Sequence, residues 1–271
     1  MDEIRSANRR LWDEWSDDFQ ALWNANTADG EHPPAPNPFA DDAPGGSQPD
    51  LLPTVEGLDV VELGCGGGQG SVGAAIDGAD TVVGVDFSAA QLEHARHLRN
   101  HYGVDARFVR GDVTALPLPD DSFDAAFSGW VFQMVPNLDA CLSEAHRVLR
   151  PDGVLVFSVP HPVYECFDPE TGQFRRSYHA DPRRTITIDD AYESDLVVFD
   201  RAVGELHDAA EAAGFDVRRV LEPEGDDTGS DDTAADDTGS DDEGDDGPPV
   251  SDRQDLTALV PQTLRFWATV R

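Results

Sequence analysis

Apolar positions in the first 24 residues recur every three or four: Ile4, Leu11, Trp12, Trp15, Phe19, Leu22 and Trp23. That is the period of an amphipathic helix, predicted here over 2–24. Residues 29–50 then carry six of the 19 prolines, with Gly and Asp between them, and read as a loop. From residue 51 short apolar runs alternate with helical patterns. Strands are predicted at 58–63, 81–85, 106–110, 123–128 and 154–159. Helices are predicted from 71 to 76, from 88 to about 102, and from 138 to 149, where Leu138, Cys141, Leu142, Ala145, Val148 and Leu149 form one stripe. Ser88 and Gln91 have the spacing of a capping box, and 151–153 (Pro-Asp-Gly) closes the third of these helices.

Strands alternating with helices define an α/β fold with a doubly wound parallel sheet. Residues 160–199 read as irregular, with scattered aromatics and histidines. A helix over 202–213, stopped by Gly214, leads to a strand at 215–221, and a last strand covers 263–270. Between those strands, 225–249 is Asp, Gly, Ser, Thr and Pro, with DDTGSDD at 226–232 and again at 236–242. It has nothing to anchor a core and is expected to be disordered. An insertion between two final strands suggests a hairpin. One domain over 1–271 follows: a cap helix (1–26), a Pro-rich loop (27–50), a core (51–160), an insertion (161–199), a last helix and strand (200–224), the acidic segment (225–249) and a final strand (250–271).

Composition changes the picture in one respect. The 271 residues carry 54 acids against 19 bases, all of them arginine, for a formal charge of −35. Outside 225–249 there are still 43 acids, so the acidity belongs to the whole chain. Self-repulsion at this charge is costly in dilute buffer, and molar salt, with a Debye length of about 3 Å, removes most of it. The pattern reads as adaptation to the salt-filled cytoplasm of an extreme, archaeal halophile. It argues against nucleic-acid binding, which rests on basic patches. No apolar run reaches the roughly 20 residues of a membrane span, and 1–10 contains no apolar signal core, so a cytoplasmic protein is expected. Three cysteines, at 65, 141 and 166, do not make a disulfide framework.

The strongest chemical signal is VELGCGGG at 61–68, a glycine turn between the first strand and a helix. In an open parallel sheet this turn lies at the carboxyl edge, where ligands bind. A dinucleotide fingerprint needs a sixth-position glycine, but Gln69 and Ser71 stand there. Asp86 ends the second strand, 22 residues after Gly64, where a carboxylate can accept ribose hydroxyls. Asp112, in Gly111-Asp112-Val113 after the third strand, can accept from an adenine amino group, with the Val113 N–H beside the ring. Together the acids suit an adenosine, and Glu62 beside the turn suits an ammonium group.

These blocks, with VVGVDFS (82–88), GDVTALPLPDDSFD (111–124) and LSEAHRVLRPDGVLV (142–156), resemble the class I S-adenosylmethionine-dependent methyltransferases of the small-molecule type, the methyltransferase domain 11 family, which includes quinone-ring methylases. The resemblance spans about 58–160 strongly and 200–221 weakly, and 8–20 resembles the helix such enzymes lay over the cofactor. It implies a Rossmann-like sheet of seven strands in the order 3-2-1-4-5-7-6, with strand seven antiparallel and helices on both faces. It implies S-adenosyl-L-methionine as cofactor: Glu62, Gly64, Cys65 and Gly66 at the methionyl end, Asp86 on the ribose, Phe87 against the adenine, Asp112 and Val113 at its edge, and Ser128 and Gly129 near the ammonium or sulfonium. Gln133 stands where relatives carry a polar residue near the methyl group, and Trp15 is expected to close the pocket.

The function implied is methyl transfer to a small-molecule acceptor by in-line displacement. The alternatives are a cofactor-binding relative without transfer and a nicotinamide-dependent oxidoreductase. Residues 127–130 lack the Asn/Asp-Pro-Pro-aromatic motif of amide and adenine-amino methylases. His161, Tyr164, Tyr178 and His179 are candidate bases or orienters for the acceptor, and no catalytic residue is assigned. No metal is expected: His94, His97 and His101 share a helix face without a completing ligand, and His161, Glu165 and Cys166 are a weak zinc pattern. The assembly is expected to be a monomer or homodimer without membrane partners.

Overall fold

The computed structural model describes residues 2–27, 54–168, 171–189, 191–222 and 260–271. The Pro-rich loop and the acidic segment of the sequence reading lie outside these residues. Helix α1 (Asp2–Thr27) comes first, and strand β1 (Asp59–Leu63) opens the sheet. Then follow α2 (Gln69–Ile76), β2 (Thr81–Asp86), α3 (Ala89–Tyr102), β3 (Arg107–Arg110) and β4 (Phe123–Gly129). Next come α4 (Leu138–Val148), β5 (Leu149–Pro160), β6 (Arg183–Ile186), β7 (Leu196–Phe199), α5 (Val203–Ala212), β8 (Phe215–Leu221) and β9 (Thr263–Val270).

Seven strands form one sheet in the order β3-β2-β1-β4-β5-β9-β8. β1 to β5 are parallel, and β9 runs antiparallel between β5 and β8. The expected seven-stranded order and antiparallel last strand are observed, with β8 and β9 as the sixth and seventh strands. Order reverses between β1 and β4, which leaves a crevice at their carboxyl ends.

The two faces have separate cores. Val61, Leu63, Val85, Phe157 and Phe266 face α4 and α5, where the stripe Leu138, Cys141, Leu142, Ala145 and Val148 packs without exposure above 5%. Val60, Val82, Ala125, Phe127 and Val156 face α2. Arg150 joins three strand starts, pairing with Asp59 and Asp124 at 2.7 Å each.

Three expectations are corrected. Residues 160–199 are not wholly irregular, because β6 and β7 pair antiparallel as a separate two-stranded sheet. A two-stranded ribbon is marginal alone, and this one gains its partner in α1: Leu11, Leu196 and Val198 are buried together with Trp15, Met134, Ile186, Ile188 and Tyr192 against them. The helix α4 ends at Val148, and Pro151-Asp-Gly153 lies inside β5, with Asp152 at φ 63°. The capping box is half formed. Ser88 Oγ accepts from Gln91 N at 3.1 Å, but the Gln91 side chain reaches Gln20, and Asp86 takes the Ser88 N–H instead.

Candidate cofactor site

The carboxyl ends of β1, β2, β3 and β4 converge on the crevice. The turn after β1 is held from within: Gly64 N and Cys65 N both donate to Val85 O, at 2.8 and 3.0 Å. Gly64 has φ 78°, and a Cβ there would stand 2.5 Å from Val131 Cγ2, so only glycine lets the loop after β4 close on this turn.

Asp86 locks the turn to β2. Its Oδ2 accepts from Gly66 N at 2.9 Å and its Oδ1 from Ser88 N at 2.8 Å. Burial pushes its pKa up to about 6 against the pull of those N–H groups. Asp112, at the end of β3, accepts from Thr114 N and Thr114 Oγ1 at 2.8 Å each through Oδ1, and from Arg5 through Oδ2 at 2.6 Å. Burial works upward on Asp112, but the Thr114 and Arg5 hydrogen bonds outweigh it and hold the carboxyl below its ordinary range. Phe87, Arg110, Gly111 and Asp112 form the floor of a cavity of about 290 Å³, roofed by Arg5, Ser6 and Arg9 of α1. This places Phe87 and Asp112 around one space. Val113 packs on the core cluster beside it.

Two of the methionyl-end residues point elsewhere than expected. Glu62 is buried and accepts from the Ser71 hydroxyl at 2.5 Å and from its backbone N–H, so it braces the start of α2 from below. Burial there pushes its pKa up to about 8. The Cys65 thiol is also buried, pressed towards Gly84, whose missing side chain makes the room, and burial lifts its pKa well above the ordinary value. Both side chains thus lie buried against the framework at the start of α2 and beside β2. Ser128 donates its hydroxyl to Leu63 O at 2.7 Å, tying β4 to β1, while a Cβ on Gly129 would meet nothing within 4 Å.

The acceptor candidates scatter. Trp15 does not roof the cavity; it packs towards β7 with Leu11 and Leu196. Gln133, in the 3-10 turn Phe132–Met134, donates to Trp130 O at 2.6 Å, and its Oε1 is buried with no partner among the described residues. His161 is 3% exposed; its Nδ1 accepts from Val163 N at 3.2 Å, which leaves Nε2 to donate to Glu222 at 2.9 Å. The Tyr164 hydroxyl accepts from Gln262 at 3.3 Å. The Tyr178 hydroxyl accepts from Val203 N at 3.1 Å, capping α5, and His179 lies edge-on to its ring at 5.3 Å. Among the described residues no group of three or more His, Cys, Asp or Glu could hold a metal ion. Glu165 is instead paired with Arg184 and with Arg175.

Sequence reasoning missed the polar side of α1. Asp13 Oδ1 accepts from Ser88 Oγ at 2.7 Å and from Ala89 N at 3.0 Å, closing the N-terminus of α3 beside Asp86. Gln20 bridges Gln91 (2.9 Å) and Gln69 (2.7 Å) over Gly67. Sequence reasoning also missed Arg201, whose guanidinium donates to Phe132 O at 3.0 Å and Val135 O at 2.6 Å, fixing the turn that carries Gln133. A signal was present in α1: the polar residues Asp13, Asp17 and Gln20 recur with helical spacing on a face next to the tryptophans.

The geometry defines a doubly wound α/β domain with a crevice at its switch point, beside a glycine turn and two acids. Residues 61–157 match the family described as Methyltransferase domain. A fatty-acid O-methyltransferase of Mycolicibacterium smegmatis is 37% identical over 112 residues, covering 41% of this chain and 40% of its own. A demethylmenaquinone methyltransferase of Thermus thermophilus is 37% identical over 97 residues, covering 36% and 41%. The chain thus spans about two fifths of the length of these curated relatives. The crystal structure of an S-adenosylmethionine-dependent methyltransferase from Mesorhizobium loti aligns at TM-score 0.61 and 29% identity, over 81% of this chain and 94% of that one. Over the matched stretch, residues 61–157, the chain is similar to the S-adenosylmethionine-dependent methyltransferases, whose cofactor is S-adenosyl-L-methionine.

Proposed function

We propose that this protein transfers the methyl group of S-adenosyl-L-methionine to a small-molecule acceptor. The observation that carries the reading is the pair of acids at the carboxyl ends of two neighbouring strands, Asp86 ending β2 and bonded to the glycine turn and Asp112 two residues past β3, with Phe87 and Asp112 lining one cavity. In this reading Asp86 receives the ribose hydroxyls, Phe87 packs on the adenine, Asp112 and the Val113 N–H take its edge, and the backbone of Gly64 to Gly66 with Ser128 and Gly129 faces the methionyl group. The cavity lies at the adenine end of this arrangement, and the space beside Gly129 is open at the methionyl end.

When bound, the cofactor supplies a methyl group already activated on a sulfonium. The work left to the chain is alignment and exclusion of water, which can be worth roughly 7–11 kcal/mol. A general base is needed only where the acceptor holds a proton at the working pH. The acceptor enters, in this reading, between α1 and the 161–199 insertion. The named relatives, acting on a fatty acid and a demethylmenaquinone, support an acceptor of low molecular weight. The charge of −35 without a lysine supports a salt-rich archaeal cytoplasm as the working medium. Among the described residues no helix is long and apolar enough to cross a membrane.

Calorimetric titration of S-adenosylmethionine, S-adenosylhomocysteine and NAD in molar KCl tests this. Micromolar binding of the first two, lost in Asp86→Ala and weakened in Asp112→Asn, is the expected result. Binding of NAD instead would support the oxidoreductase alternative. Cofactor binding without turnover on a metabolite extract would favour a relative that binds and does not transfer.

A further inference from the structure

Helix α1 touches the loops after β1, β2 and β3 in order. Gln20 lies over Gly67 of the first, Asp13 closes the helix end beside Asp86 of the second, and Arg5 pairs with Asp112 of the third. At 1.5 Å per residue these contacts are spaced about 10 to 12 Å along one helix face. Other positions of α1 fasten it to the hairpin, Asn8 to Val197 and Asp18 to Tyr192 at 2.6 Å, and to the 3-10 turn after β4, Trp12 Nε1 to Met134 Sδ at 3.3 Å. α1 is therefore wedged between the cofactor loops and the acceptor side.

One of these contacts is unlike the others. Asp13 and Gln20 meet groups that a ligand in the crevice would leave in place: helix N–H groups and other glutamines. Arg5 instead occupies Oδ2 of Asp112, and Oδ1 of that carboxylate is already committed to Thr114. Oδ1 thus already accepts two hydrogen bonds, so a ligand donor must reach Oδ2, which holds one, and Arg5 stands across Oδ2 on the wall of the cavity. Arg5 is itself half-exposed and lines the cavity, so it can leave Asp112 without opening the core.

We propose that Arg5 is an internal competitor for the adenine subsite, a latch that keeps Asp112 occupied until a ligand presenting its own hydrogen-bond donor displaces it. This rests on the cofactor reading above. A ligand without a donor at that edge pays for breaking the Arg5 contact and gains nothing from Asp112, so the latch also selects. Displacement frees the N-terminal end of α1, which is the roof of the cavity, and gives the bound ligand a route in and out that does not disturb the Asn8 contact with the hairpin.

The test is stopped-flow binding of S-adenosylhomocysteine in 1 M KCl. Fluorescence is a direct reporter, because three of the five tryptophans (Trp12, Trp15 and Trp23) lie on α1. Arg5→Ala should bind about two- to fivefold faster and tighter, the range that loss of an exposed ion pair is worth. Arg5→Lys should stay near the parent, and Arg9→Ala, altered in the same roof, should not reproduce the gain. Amide hydrogen exchange should rise in the first turns of α1 in Arg5→Ala. Unchanged or weaker binding in Arg5→Ala, with the parent binding normally, overturns the latch and leaves the cofactor reading standing. Absence of binding in every folded variant overturns the cofactor reading itself, and the latch with it.

Discussion

Asn8 closes both hydrogen-bonding groups of Val197: its Nδ2 donates to Val197 O at 2.9 Å and its Oδ1 accepts from Val197 N at 2.8 Å. Asn8 is 1% exposed. A side-chain amide thus acts as the strand neighbour that β7 lacks on one edge. Asn8→Ala leaves two buried backbone groups unpaired and should cost about 2–4 kcal/mol. For a chain of this size that is a fall of roughly 5–15 °C in melting temperature. Calorimetry in molar KCl reads it directly, and an unchanged melting temperature would mean the pairing carries no net stability.

Stability should fall as pH rises from about 4 to 8. Glu62 and Asp86 titrate at about 8 and about 6 in the folded chain, against ordinary values of 4.5 and 3.8. Across that window the folded chain holds protons that the unfolded chain has released, so each rise in pH favours unfolding. The full effect is on the order of a few kcal/mol. Urea denaturation from pH 5 to 9 at constant salt should show the slope, and Glu62→Gln should abolish it between pH 6 and 8 and reduce it below pH 6, where Asp86 also contributes. A slope that survives intact in that variant would place its origin in other groups.

Gly64→Ala should impair both folding and ligand binding. Its φ of 78° is strained for alanine, and the new Cβ collides with Val131, which is part of the chain and cannot withdraw far from the loop after β4. The expected loss is about 2–3 kcal/mol, read as a lower denaturation midpoint. Gly129→Ala is the useful contrast, because its Cβ meets nothing in the protein. It should fold normally and lose affinity only for whatever fills the crevice.

Arg201→Met tests the turn that carries Gln133. The guanidinium donates to two carbonyls of 132–135 and lies 4.9 Å over the Phe199 ring. Methionine keeps the bulk and strands the carbonyls, for an expected cost of about 2–3 kcal/mol. Cofactor binding, which uses the other side of the crevice, should change by less than about threefold. Arg201→Lys should recover only part of the stability, since one ammonium cannot reproduce the fork.

Much of the sheet was legible because its strands are buried on both faces and therefore read as unbroken apolar runs; β9 was read to the residue, and β1 within one. The hairpin was harder. β6 is Arg-Arg-Thr-Ile, with no alternating apolar face, and it is identifiable only through its pairing with β7. In α1 the hydrophobic pattern found one face and concealed the other. Leu22 and Trp23, counted in the stripe, are exposed, whereas Asn8, which bonds β7, and Gln20, which bonds Gln69 and Gln91, are buried. Site chemistry was legible where backbone geometry demands a residue type, as at Gly64 and the strand-ending acids. Side-chain direction was not: a carboxylate two residues before a glycine turn reads the same whether it faces a ligand or, like Glu62, the underside of a helix.

The Asn8 contact with Val197 spans 189 residues of chain. During synthesis at about 5–20 residues per second, α1 would wait on the order of 10–40 s for its partner strand to be made. Through that interval Leu11 and Trp15 have no hairpin to lie against, so the nascent chain displays the apolar positions of α1 that β6 and β7 later cover. The roof of the cofactor site is translated first and seated late, which makes α1 the segment of the newborn protein most in need of chaperone cover.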